Sequence, residues 1–393
     1  MTAQTACIIP YGHQSISEAD IQAVVDVLKS DWLTQGPAIE RFEDAVSRHC
    51  QAKFAVAVSS ATAALHLSCL TLGLGPEDWL WTSPNTFVAS ANCGRYCGSK
   101  VDFVDIDPKT YNMSAEALAV KLELAEKAGR LPRVVVPVHF AGQSCEMDKI
   151  KALSDRYGFT VIEDASHAIG GTYKNQPIGG CQFADMTVFS FHPVKIITTG
   201  EGGMILTNNK ELYEKLIMLR THGITRNPAK MSPPPAGPWD YQQIDLGFNY
   251  RITDIQAALG HSQMQRLNEF VKQRHRLVDR YNAAFHGLPL KLPYQRPDTY
   301  SAYHLYVVCL KQNEAPIGRL EFFQKMQEAG IGVNVHYIPV HMQPYYRALG
   351  FAPGDFPEAE QYYAQAVTLP LYSDLSEKDQ THVIDTVRRL FGN

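Results

Sequence analysis

Val134-Val135-Val136-Pro137-Val138-His139, a run of helical period from Met147 to Tyr157, then Thr160-Val161-Ile162-Glu163-Asp164: the fold is decided in this stretch. The two flanking runs are short, β-branched and apolar without alternation, as in strands covered on both faces. With the helical run between them they make a strand–helix–strand unit. The alternation continues outward on both sides. Toward the N-terminus Ala55–Ser59, Trp79–Ser83 and Lys100–Asp105 read as strands, with a helix over Thr62–Leu72. Toward the C-terminus Met186–Phe191 and Gly203–Thr207 read as strands, followed by a helix over Lys210–Leu219. Repeated units of this kind pack into a mostly parallel sheet, so the expected class is α/β.

Beyond this region Asn227–Trp239, rich in proline, reads as a surface loop, and an organised pattern resumes at Asp245. A long helical segment from Thr253 to Phe285 is expected to lead out of the large domain. His304–Leu310 and Gly332–His336 read as strands of a smaller α+β domain, with helices over Glu358–Ala366 and Glu377–Phe391. The expected division is a large domain over residues 1–255 and a small C-terminal domain over 256–393.

The 393 residues are 45% hydrophobic and 19% charged, ordinary values for a folded chain that buries a sizeable core. The formal net charge is −4 and no basic stripe is present, which argues against nucleic acid as a partner. Met1–Pro10 lacks a charged segment followed by an apolar run, and no stretch reaches 18 apolar residues. A soluble cytoplasmic protein is therefore expected. The eight cysteines are scattered, and Cys93 and Cys97 have no matching second pair, so neither a metal site nor a disulfide framework is expected.

Three segments at strand ends carry the candidate chemistry, because ligands of open α/β sheets bind at that edge. Asp164 ends an apolar strand, where a carboxylate needs a partner such as a protonated ring nitrogen; it also reads as the cap of a following helix. His167, taken alone, also reads as a structural residue. Lys195 follows the next strand among apolar neighbours, in Phe189-Ser190-Phe191-His192-Pro193-Val194-Lys195-Ile196-Ile197-Thr198-Thr199-Gly200-Glu201-Gly202-Gly203. Desolvation lowers the pKa of such a lysine, as an imine-forming amine requires, and Ser190 is placed to bond a phosphate. A solvated lysine in a glycine-rich turn is the plainer alternative. Ser59-Ser60-Ala61-Thr62-Ala63-Ala64-Leu65 puts small residues where a strand meets a helix, which suits either an anion site or an ordinary N-cap.

Taken in order, these segments resemble the DegT family of sugar-nucleotide aminotransferases, enzymes of the fold-type I pyridoxal 5′-phosphate class. The resemblance runs from about Ile9 to Phe391. It rests most on Ser190–Lys195 with Thr198–Gly203, and is supported by Leu33–Pro37, Thr86–Asn92 and Gly247–Arg251. It implies a large domain with a mostly parallel sheet, a smaller C-terminal α+β domain and pyridoxal 5′-phosphate as cofactor. Lys195 is implied as the Schiff-base lysine, Asp164 as the partner of the ring nitrogen and Phe87 as the residue stacked on the ring. His167, at a position often held by Gln, is implied near the cofactor's phenolic oxygen. Ala61, Thr62 and Ser190 resemble the phosphate cradle, although many relatives have Gly where Ala61 stands. Asn249 is similar to an asparagine that reaches the phosphate from a neighbouring subunit, which implies a homodimer with composite sites. Tyr11, Gln35, His336 and Tyr337 are the implied substrate contacts.

Within the family, His192–Lys195 and His336–Tyr346 are most similar to the PseC type. That type aminates C4 of a UDP-linked 4-keto-6-deoxy-N-acetylhexosamine on the route to pseudaminic acid, here with L-glutamate as the implied donor. Glu163–Ala165 and His167 are similar to the ArnB type, which acts on a UDP-4-keto-pentose. Sugar dehydratases on this fold resemble the same pattern but have His at the lysine position, and this chain has Lys195. A non-catalytic protein on the same scaffold is the remaining alternative, and it is disfavoured by the presence of both Lys195 and Asp164.

Overall fold

The computed structural model describes residues 9–392. Its centre is a seven-stranded sheet of β1 (Phe54–Val58), β2 (Trp79–Thr82), β3 (Lys100–Phe103), β4 (Val134–Val136), β5 (Thr160–Asp164), β6 (Met186–Ser190) and β7 (Gly203–Thr207). The spatial order is β1-β7-β6-β5-β4-β2-β3. All neighbours pair in parallel except β7, which runs against both β1 and β6. Every residue of β4, β6 and β7 is buried. Successive side chains enter different cores: Val188 packs on one face with Leu65 and Leu67, and Phe189 on the other with Phe42 and Phe191. Burial on both faces is why these strands show no polar alternation.

The reversal of β7 matters for the site. Gly203, the first residue of β7, pairs with Val58 on one side and Ser190 on the other. The ends of β1, β5 and β6 and the start of β7 therefore share one edge, and Ser60, Asp164 and Lys195 follow from it.

Leu290–Lys291, Tyr306–Leu310 and Ala366–Leu369 form a small antiparallel sheet. It packs with the helices Arg319–Glu328 and Glu377–Leu390 in a separate core. The helix Leu267–Phe285 serves two cores, placing Phe270 and Val271 in one and Tyr281 and Phe285 in the other.

Two expectations need correction. The helical segment Thr253–Phe285 is two helices, Asp254–Met264 and Leu267–Phe285. Between them Arg266 leaves helical geometry (φ −108°, ψ 3°), and its guanidinium pairs with buried Asp20, which also binds Ser262 and Gln263. Gly332–His336 is not a strand. Ile331 bridges to Ile9 and Asn334 to Thr368, so the pairing partner changes within the segment and no ladder forms. The helices Glu18–Leu28, Pro37–Cys50 and Ala115–Lys127 were not anticipated from the sequence. Among the described residues no helix is long and apolar enough to cross a membrane.

Candidate active site

A cavity of about 640 Å³ opens at the shared strand edge. Lys195 reaches it from the turn between β6 and β7. That turn is closed on its own strands: Phe191 N–H donates to the Gly202 carbonyl (2.9 Å) and Thr199 N–H to the Phe191 carbonyl (3.0 Å). Burial pulls the Lys195 ammonium down to about 8, against the opposing attraction of Asp164. Near neutral pH a fraction of Lys195 is thus free amine, the form that attacks a carbonyl.

Asp164 closes β5 and is held from both sides. Its Oδ2 accepts from Ser90 Oγ (2.6 Å), and its Oδ1 accepts from Ser166 Oγ (2.6 Å) and Ser166 N–H (3.1 Å). Ser90 in turn bonds the Thr86 hydroxyl at 2.7 Å. These hydrogen bonds fix the orientation of the buried carboxylate at the cavity.

Ser60 caps the helix Ala61–Thr71, its Oγ accepting from Ala63 N–H at 3.1 Å. The first N–H groups of a helix have no partner within it, and Ala61 and Thr62, at this helix start, line the cavity with Ser190. A Cβ on Gly203 would stand 2.6 Å from the Ala61 nitrogen and the Ser60 oxygen. The glycine thus lets the helix start seat directly on β7.

The outer wall is aromatic. Phe87 is 58% exposed although large and apolar, with its ring 6.2 Å from that of Tyr337. The ring of Tyr11 lies 5.4 Å from that of His336, whose Nδ1 is 2.8 Å from the Thr368 hydroxyl. Burial, followed by the charge of Lys195, pulls His336 down to about 3 and holds His167 well below the usual imidazole range. His304, buried beside His167, is depressed in the same way.

The structure therefore brings Lys195, Asp164, His167, Ser190, Ala61, Thr62, Phe87, Tyr11, His336 and Tyr337 to one cavity. Gln35 and Asn249 are not among its lining residues. Gln35 is exposed at φ 57°, and Asn249 is exposed in a bridge to Thr221. Sequence reasoning missed Ser90 and His304. Ser90 lies within the Thr86–Asn92 segment, but nothing local marks its bond to Asp164.

A titratable lysine, a fixed carboxylate and open helix N–H groups around one cavity suit a phosphate-bearing aromatic ring. Residues 14–388 match the DegT/DnrJ/EryC1/StrS aminotransferase family. The chain belongs to that family. It is 40% identical to the spore coat polysaccharide biosynthesis protein SpsC of Bacillus subtilis, over 97% of this chain and 96% of that one. It is 35% identical to the UDP-4-amino-4,6-dideoxy-N-acetyl-β-L-altrosamine transaminase of Campylobacter jejuni, again over 97% and 96%. The Streptococcus pneumoniae sugar aminotransferase Spr1654 in its PMP form superposes with a TM-score of 0.89 at 31% identity, over 98% of this chain and 99% of that one. The same protein is known in a PLP form.

This DegT-family protein is thus a sugar aminotransferase with pyridoxal 5′-phosphate as cofactor, on a fold-type I α/β scaffold. Its residues fit that group. Lys195 is lowered to about 8 so that a fraction is free amine, Asp164 is held at the cavity, Gly203 lets the helix start at Ala61 seat on β7, and Phe87 is exposed.

Proposed function

We propose that this protein transfers the amino group of L-glutamate to C4 of a UDP-linked 4-keto-6-deoxy-N-acetylhexosamine, the step used in making pseudaminic acid. The observation that carries the amino-transfer chemistry is Lys195, lowered to about 8 in a cavity with Asp164. The substrate reading is supported by the 35% identical Campylobacter jejuni transaminase. The bound cofactor supplies an electron-withdrawing ring and carries the amino group between donor and acceptor. Lys195 holds the cofactor and then moves the proton at the substrate carbon. Asp164 would face the ring nitrogen and hold its proton, Phe87 would lie against the ring, and His167 would stand near the phenolic oxygen. Ala61 and Thr62 N–H with the Ser190 hydroxyl hold the phosphate, joined by Asn249 from a second copy. Tyr11, Gln35, His336 and Tyr337 contact the nucleotide sugar. The working unit is a cytoplasmic homodimer whose chains divide into residues 1–255 and 256–393.

The test is isotope transfer. With L-glutamate labelled at its amino nitrogen, mass spectrometry should find the label on the UDP-linked hexosamine. Label found on a UDP-linked 4-keto-pentose and absent from the hexosamine would overturn the substrate.

A further inference from the structure

We infer that His167 acts through Tyr337: a one-way chain of hydrogen bonds makes the Tyr337 hydroxyl a neutral donor to an uncharged oxygen of the sugar substrate. This rests on the proposed function and assigns His167 as a positioning residue.

The chain begins at a donor that cannot reverse. Ala141 N–H donates to His167 Nδ1 at 3.3 Å, so that nitrogen carries no proton. The Ala141 backbone is pinned. It has φ 56° in the turn Phe140–Gly142, the preceding Phe140 N–H donates to Asn112 Oδ1 (2.8 Å), and the Ala141 carbonyl accepts from His304 N–H (2.9 Å). Burial, followed by the charge of Lys195, keeps His167 neutral. The ring proton is therefore on Nε2, 3.1 Å from the Tyr337 hydroxyl. The ring of His304, 4.4 Å away, packs against His167 and fixes its orientation.

Tyr337 stays a phenol, because burial and then Asp164 push its pKa up. Since its oxygen accepts from His167, its own proton is free to be donated. Among the described residues no acceptor lies within reach of that proton, and Tyr337 lines the cavity. A carboxylate or phosphate calls for a cation or several N–H groups, whereas a single neutral phenol suits a carbonyl or hydroxyl oxygen. The sugar supplies such an oxygen.

The test compares His167→Leu, His167→Gln and Tyr337→Phe in the cofactor-loaded protein. Leu and Phe should each raise KM for the keto sugar about tenfold, with KM for L-glutamate changed less than about twofold. Gln should retain most of the wild-type value, because its amide accepts from Ala141 and donates to Tyr337. The double variant His167→Leu with Tyr337→Phe should be no worse than Tyr337→Phe alone. Calorimetric titration of the protein loaded with pyridoxamine phosphate, which cannot react with an amine, should rank the variants in the same order for the UDP-linked amino sugar. Tyr337→Phe removes one oxygen, so it decides the matter if His167→Leu fails to fold. Gln as damaging as Leu, losses that fall on L-glutamate, or additive losses in the double variant would each overturn the relay. A wild type that binds the nucleotide sugar without aminating it sinks the proposed reaction, while the ranking of variants still decides the relay.

Discussion

At Lys195 two forces compete: burial disfavours the ammonium, Asp164 favours it, and burial wins, leaving the group near 8 rather than its ordinary 10.5. This has a consequence for stability. Below about 8 both folded and unfolded chains hold the proton, and the folded one bears a buried charge. Between about 8 and 10.5 the folded chain releases the proton while the unfolded chain keeps it, so stability rises with pH across that window. In cofactor-free protein, Lys195→Met should therefore stabilise at pH 7 by on the order of 2 kcal/mol, and the gain should fade by about pH 10. Calorimetric melting of both proteins across that range checks it; a gain that does not change with pH contradicts it. Lys195, Asp164 and Ser190 were legible as candidates because each ends or directly follows a strand in the linear chain. Ser90 was not, because its hydroxyl reaches Asp164 from 74 positions away and only the packed sheet brings them together. The link from His167 to Tyr337 spans 170 positions and was hidden for the same reason.

Among the elements, β7 and the helix start at Ala61 meet closely at the site. Gly203→Ala would place a methyl group 2.6 Å from the Ser60 and Ala61 backbone. The helix must then move off the strand, which should cost roughly 1–3 kcal/mol and weaken cofactor binding as the N–H groups shift. Gly318→Ala is the control, since a Cβ there meets nothing within 4 Å and φ is −79°. Thermal melts and cofactor titrations of the two variants check this; equal behaviour contradicts it. The sheet strands were legible because their apolar, β-branched runs are bounded by turn residues. The break at Arg266 was not legible, since the helical period continues across it and the cause is the distant carboxylate of Asp20. Gly332–His336 has strand composition, but without a continuous partner composition does not make a ladder.

On the scale of the molecule, the proposed second copy has exposed apolar surface to meet. Trp239 and Leu246, 74% and 75% exposed, lie on the segment that carries Asn249, and Phe87 is exposed at the cavity itself. Apolar surface of this kind is costly in water and suits a second copy of the chain. Leu246→Asp should yield monomers by light scattering, with amino transfer lost; a monomeric variant that still turns over contradicts the composite site. The α/β architecture of the chain was legible in its sequence, whereas the exposed faces of Trp239 and Leu246 have no signature in the linear order of residues. The most direct measurement is the visible absorbance of the purified protein with pyridoxal 5′-phosphate. A band that bleaches with L-glutamate, returns with the UDP-linked keto sugar and is missing in Lys195→Ala is the expected result. No band in the wild type when the cofactor is supplied, or the same band in Lys195→Ala, would contradict Lys195 as the residue that holds the cofactor.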